Sequence, residues 1–177
     1  MDLYAYFKIS LLVIIIIILS IYVLLKVIKT NKFLGRPIWD EPINIIDYNL
    51  DGPGTNKQIL DIYSFSHITS GILFYFVFKY LKIPIIQAFI LSIIFHIMWE
   101  IFENTPYIIN KYRKRPEYEN YEGDSIVNMI GDLACMIIGF YLSFKNKNVA
   151  IIYLVITELV LMPFGANFLH LSLGSLI

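Results

Sequence analysis

One cysteine, Cys135, serves a chain of 177 residues, so no intrachain disulfide framework holds it together. That cysteine lies inside an apolar segment, where a lone thiol reads first as a small hydrophobe. Basic and acidic side chains cancel to a formal net charge of zero, leaving no global field to attract nucleic acid. Charged residues are scarce, at 16% against 58% hydrophobic, and mean hydropathy is +0.67. A soluble domain of that composition would expose large apolar patches, which excludes an ordinary soluble fold. Internal repeats are absent, as are haem, nucleotide and flavin signatures, and low complexity is confined to the run Ile14 to Ile18.

Long apolar runs are what the chain does have. Five stand out, at about 6–28, 64–81, 84–104, 125–144 and 149–170. About 20 apolar residues at 1.5 Å each cross a hydrocarbon core of about 30 Å, so the expected fold is all-α. It is a polytopic transmembrane helix bundle of about five membrane-spanning segments. The first run is longer than a signal-peptide core and no small-x-small cleavage site follows it. Lys26, Lys29, Lys32 and Arg36 flank it as they would a retained anchor. The organisation read from this is an anchor over 1–30, a polar loop over 31–61 and a four-segment bundle over 62–177. Lys82-Ile83-Pro84 makes a tight return, with Pro84 suited to a first helical turn. Pro163 and Gly165 predict a kink or break in the fifth segment.

Two polar loops, 29–61 and 105–123, fall on one side of a five-crossing bundle. They carry Lys29, Lys32, Arg36, Lys57, Lys111, Arg113, Lys114 and Arg115, against Lys8, Lys79, Lys82, Lys145 and Lys147 on the other side. The positive-inside rule then puts both loops in the cytoplasm of a multi-pass integral membrane protein. The run Lys111 to Arg115 reads as a solvated, topology-setting stretch, with contact to anionic head groups as the sharper alternative.

Against this apolar background the ionisable residues are conspicuous. His67 lies near the start of the second segment, and His96, Glu100 and Glu103 near the end of the third. Asp124, Asn128 and Asp132 open the fourth. A charged group at the centre of a spanning helix costs about 2.5–3.5 kcal/mol on insertion scales, so such groups face protein and mark function. His96, Glu100 and Glu103 share a face at i, i+4, i+7; Asp124, Asn128, Asp132 and Cys135 share another, with Gly131 alongside for close helix approach. All lie in one half of the membrane, so three polar stripes are expected to converge. Imidazole with several carboxylates is a ligand set for a divalent metal, which would also activate water or polarise a phosphoryl oxygen.

Each residue also has a structural reading. His67 can hydrogen-bond a neighbouring helix, Asp124 can be a helix N-cap, and Glu103 can be interfacial. Asn104 before Thr105-Pro106 can simply end a helix, and Asn128 can be interhelical glue. Glu100 and Asp132, turns inside the apolar boundary, favour a site. Glu158 is a further intramembrane carboxylate, read either as a proton relay or as a partner to the same site. His170 stays ambiguous.

The blocks Asp61-Ile62-Tyr63-Ser64-Phe65-Ser66-His67, Trp99-Glu100-Ile101-Phe102-Glu103-Asn104-Thr105-Pro106, Ile109-Asn110-Lys111-Tyr112-Arg113 and Gly123-Asp124-Ser125-Ile126-Val127-Asn128 through Gly139 resemble small bacterial inner-membrane proteins of unknown function. That family is similar in motif order to the VanZ-like membrane proteins. The resemblance spans about residues 58–145 and implies a helical membrane bundle with these polar residues at its core. The chain departs from the family pattern at Ser70, where a second histidine is expected, and at Gly165-Ala166-Asn167, where an Arg-Asp-Asn element is expected.

Three functions follow. The first is a metal-dependent enzyme acting on a lipid head group or lipid-linked phosphate. His67, Glu103 and Asp132 would hold the metal, Glu100 and Asp124 would act as base, and Asn128 would orient the substrate. Its partner is membrane lipid, not nucleic acid, and a homo-oligomer is compatible. Neither the Arg-rich, Ser-Gly-His phosphatase signature nor the Asp-Gly-x-x-Ala-Arg pattern of CDP-alcohol transferases is present, and Ser70-Gly71 is too little for an intramembrane serine protease. The second is a proton-coupled transporter using Glu158, Asp132 and Glu100 as a relay, although no inverted repeat supports it. The third is a non-enzymatic scaffold held together by buried polar pairs.

Overall fold

A computed structural model describes residues 45–47 and 55–176, all within the compact unit Arg36–Ile177. The first apolar run, the anchor over 1–30 and most of the loop over 31–61 lie outside the described residues. What is described is mostly helical, with a two-residue parallel pairing of β1 (Ile46–Asp47) and β2 (Leu60–Asp61). The helices are α1 (Ser64–Tyr80), α2 (Ile85–Glu103), α3 (Pro106–Tyr112), α4 (Ile126–Lys145), α5 (Lys147–Leu161) and α6 (Phe168–Leu176).

Local chemistry sets the boundaries. Asp61 Oδ1 accepts the backbone N–H of Tyr63 at 2.8 Å and of Ser64 at 3.2 Å, satisfying donors that α1 would otherwise leave open. The helix closes in a Schellman turn: Lys82 N–H reaches Lys79 O and Ile83 N–H reaches Phe78 O, with Lys82 left-handed at φ 57°. Pro84 stands at the N-cap of α2, one position before the first helical residue. Thr105 caps α3, whose first residue is Pro106. Asn146 alone separates α4 from α5, its Oδ1 accepting from Asn148 and Val149. The fifth apolar segment breaks as Pro163 and Gly165 predict: a 3-10 turn at Met162–Phe164 ends on Gly165 at φ 65°, and α6 starts afresh.

α1 and α4 form the most intimate pair, and they run parallel. Ser64 meets Asp132, Gly71 lies against Met136, and Tyr75 packs edge-on against Phe140 at 5.5 Å. Glycines make this possible. A Cβ on Gly71 would come within 1.9 Å of Met136 O, and one on Gly139 within 1.9 Å of Ile68 O. Gly131, expected to admit a helix, instead admits the loop: its added Cβ would stand 1.7 Å from Ile59 O. α2 returns antiparallel, placing Phe95 near Phe74 and Phe78, and His96 and Glu100 near His67.

Three helical stretches among the described residues, Ile85–Glu103, Ile126–Lys145 and Lys147–Phe164, are long and apolar enough to cross a membrane. The middle one is central, with 56% of its most apolar window buried against 22% and 17% for the others. The other two turn Met98, Phe102, Ile152, Val155, Leu159 and Val160 outward, the surface that lipid would cover.

Candidate functional site

The start of α1, the end of α2 and the start of α4 meet at one end of the described helices, because α1 and α4 are parallel and α2 opposes both. His67 lies at the centre. Its Nδ1 faces Glu100 Oε1 at 3.8 Å, and its Nε2 faces Asp132 Oδ2 at 3.6 Å. The His96 ring stands edge-on to it, centroids 5.1 Å apart, and presents Nε2 to Glu100 Oε1 at 3.2 Å. That last contact lacks hydrogen-bond geometry, so His96 Nε2 and Glu100 Oε1 are both buried with no hydrogen-bond partner. His96 is 2% exposed and Glu100 3%, so water does not reach either atom freely.

Two groupings arise, and they share Glu100. His67, His96 and Glu100 bring one ligand atom each within 4.8 Å of one another, as do Glu100, Glu103 and Asp124. Around a tetrahedral ion with bonds of about 2.1 Å, ligand atoms stand about 3.4 Å apart. The 3.2–3.8 Å contacts of Glu100 with the two histidines match that separation. Two of the three ligand separations that the His/His/Glu set needs around a divalent ion are therefore in place.

The placement of the expected residues differs in detail from the sequence reading. Glu103 groups with Glu100 and Asp124, not with His67. Asp132 faces the opposite nitrogen of His67 from Glu100 and accepts from Ser64 Oγ at 3.2 Å, which suits it to hold the ring's tautomer and orientation. Asp124 is not the N-cap of α4; Ser125 is, accepting from Asn128 N–H at 3.1 Å. Asp124 is instead locked to Asn104. Asn104 Nδ2 donates to its Oδ2 at 2.6 Å, its own N–H donates to Asn104 Oδ1 at 2.7 Å, and Tyr121 OH donates to its Oδ1 at 3.1 Å. Asn128 does not line the cavity; its amide donates to Gln58 O at 2.9 Å and Asp61 Oδ2 at 3.4 Å, holding the preceding loop against α4. Glu158 lies apart from the cluster, accepting from Asn167 Nδ2 and from the N–H groups of Phe168 and Leu169 at the head of α6. His170 meets Arg115 at 3.4 Å on the exposed side.

Sequence reasoning passed over Asp61, Ser64 and the tyrosines, and read Asn104 only as a helix end, where it does stand as the C-cap of α2. Asp61 and Asn104 stood inside the blocks carrying the family resemblance, which was the available signal. Asp61 is 1% exposed; burial raises its pKa above the ordinary carboxylate value, and N–H donors from Asn56, Tyr63, Ser64 and Asn128 partly offset this. Tyr112 and Tyr121 are driven well above the usual phenol range by burial and then by the Glu103 and Asp124 carboxylates, so both stay neutral.

A cavity of about 300 Å³ opens beside the cluster. His67, His96, Glu103, Asp124 and Asp132 line its polar end, and Tyr63, Tyr112, Tyr118 and Tyr121 an aromatic wall. Leu73, Phe74 and Phe95 line it further along α1 and α2. Phe74 is seven residues beyond His67, about 10 Å along a helix axis. None of the described residues lining the cavity is lysine or arginine.

Comparison with known proteins matches residues 32–171 to the family described as "Protein of unknown function (DUF2585)". A UPF0314 protein of Brucella anthropi is 36% identical over 92 residues, 51% of this chain and 47% of the relative. One from Sinorhizobium fredii is 34% identical over 128 residues, 66% and 61% respectively. One from Sphingopyxis alaskensis is 38% identical over 87 residues, 48% and 46%. The matched part of the chain thus spans about half to three-fifths of these relatives' length. No solved structure matches the chain.

Proposed function

This chain belongs to the family of proteins of unknown function DUF2585, and from that premise we propose that it is a multi-pass membrane enzyme dependent on a divalent metal. Its substrate is a lipid head group or lipid-linked phosphate. The observation that carries this reading is the pair of buried, unpartnered atoms, His96 Nε2 and Glu100 Oε1, converging with His67 Nδ1 beside an amphipathic cavity.

In this reading His67 Nδ1, His96 Nε2 and Glu100 Oε1 hold the ion, and Asp132 orients His67 through Nε2. When bound, such an ion polarises a phosphoryl or carbonyl oxygen and lowers the pKa of water. Among the described residues the cavity wall supplies carboxylates and neither lysine nor arginine, so an anionic head group depends on the ion for its countercharge. Leu73, Phe74 and Phe95 suit an acyl or polyprenyl chain leaving the polar end along α1 and α2. The reading keeps the five-crossing topology, the cytoplasmic placement of the loops at 29–61 and 105–123, and the similarity in motif order to VanZ-like proteins. The outward apolar faces of α2 and α5 support membrane residence.

Inductively coupled plasma mass spectrometry on detergent-purified protein tests it, with wild type beside His67→Ala and Glu100→Gln. Near-stoichiometric metal in wild type, lost in both variants, is expected. Wild type that stays metal-free after metal is supplied during purification overturns the reading.

A further inference from the structure

Glu100 belongs to two ligand sets, and the second has a different character from the first. Glu100, Glu103 and Asp124 offer oxygen only, within 4.8 Å of one another. Glu100 and Glu103 come from successive turns of α2, and Asp124 is brought back across the connection that holds α3 by its reciprocal pairing with Asn104. Three carboxylates this close repel one another, and the cavity lining provides no lysine or arginine among the described residues. A cation is the missing element.

Two further observations point to a ligand at this place. Glu100 Oε1 is buried without a hydrogen-bond partner. So is the hydroxyl of Tyr112, a residue 4% exposed that lines the same cavity beside Glu103 without reaching hydrogen-bond geometry to it. Asp124 is already aimed: Asn104 and Tyr121 fix the plane of its carboxylate.

We propose that Glu100, Glu103 and Asp124 form a second divalent-cation site, with Glu100 bridging it to the His67–His96–Glu100 site. The all-oxygen donor set selects a hard ion such as Mg²⁺ or Mn²⁺, whereas the histidine set also accepts softer ions. A carboxylate-bridged ion pair is a clamp for the oxygens of a phosphoryl group, which narrows the substrate class to phosphate esters of membrane lipids. The inference rests on the proposed function for its first ion, and the two fail in different ways.

The test is Mn²⁺ stoichiometry and electron paramagnetic resonance on the full chain purified in detergent. Wild type should bind two Mn²⁺ per chain and show an exchange-coupled signal. Glu103→Gln, nearly isosteric, should bind one and show the uncoupled spectrum of isolated Mn²⁺. Glu100→Gln should lose both. One Mn²⁺ per chain in wild type, with an uncoupled spectrum, overturns the second site and leaves the first standing. No Mn²⁺ in wild type overturns both. The wild-type stoichiometry and spectrum decide the matter even where a variant fails to fold.

Discussion

The two ends of the α1–α4 pair are built from the same helices by different physics. At the end holding Ser64, His67 and Asp132, the contacts are directional, and polar side chains reach the backbone of Lys57, Gln58 and Asp124 in the neighbouring connections. At the other end Tyr75, Phe78, Ala88 and Phe140 pack as a ring cluster, with Phe74, Phe76 and Phe89 around them. In lipid, ring packing gains little from the hydrophobic effect, because the tails outside are as apolar as the core. A polar group removed from its partners there has no water to fall back on. The comparison teaches that the polar end carries the specificity of this bundle, and that the aromatic end fills space.

Substitution at the helix crossing should have the largest effect, since both ends depend on it. Gly139→Leu places side-chain atoms where Ile68 O already stands, and a loss above about 3 kcal/mol is expected, read as failure to recover folded protein in detergent. Next comes a direct contest between the ends. Asn104→Leu strips Asp124 of two hydrogen bonds, one accepted by its carboxylate and one donated by its backbone N–H, and should cost about 2–3 kcal/mol. Phe140→Ala loses packing but little transfer energy, and about 1–2 kcal/mol is expected. Thermal unfolding of the two in the same detergent checks the order; a larger cost for Phe140→Ala would break the comparison.

The smallest effect is confined to alkaline solution. Tyr112 and Tyr121 have folded pKa values raised above the phenol value of about 10, by burial first and nearby carboxylates second. Their contribution to stability is full below that value and is lost as pH rises above it, because only the unfolded chain ionises them readily. Tyrosinate absorbance during an alkaline titration should therefore show these two rings ionising together with unfolding.

Much of the fold was legible because its signals are local. The apolar runs, the return at Lys82-Ile83-Pro84 and the break at Pro163 to Gly165 depend on hydropathy and backbone chemistry that neighbouring residues supply. The spacing of His96, Glu100 and Glu103 marked a shared helix face for the same reason. Asp124 shows where that reasoning stops: a carboxylate after glycine and before an apolar run looks like a cap, yet Ser125 took the cap and Asp124 turned to Asn104, 20 residues away. Glu158 is similar, since its donors lie beyond a turn whose direction only Gly165 and the packing of α6 establish.

By itself, then, the sequence determined a mostly helical chain with helices long and apolar enough for a membrane, and a set of ionisable residues that such helices do not carry without cause; the short parallel pairing of β1 with β2 stands outside the expected all-α fold. Composition and periodicity suffice for that, because they act through the cost of exposing backbone and apolar surface. Only the tertiary structure decided which nitrogen of His67 faces Glu100 and which faces Asp132, that Asn128 serves the loop, and that Glu100 stands in two ligand sets at once. Those outcomes turn on the parallel register of α1 against α4 at the glycine crossing. A shift of one residue there rotates a side chain by about 100°, enough to dissolve the cluster while leaving every helix intact.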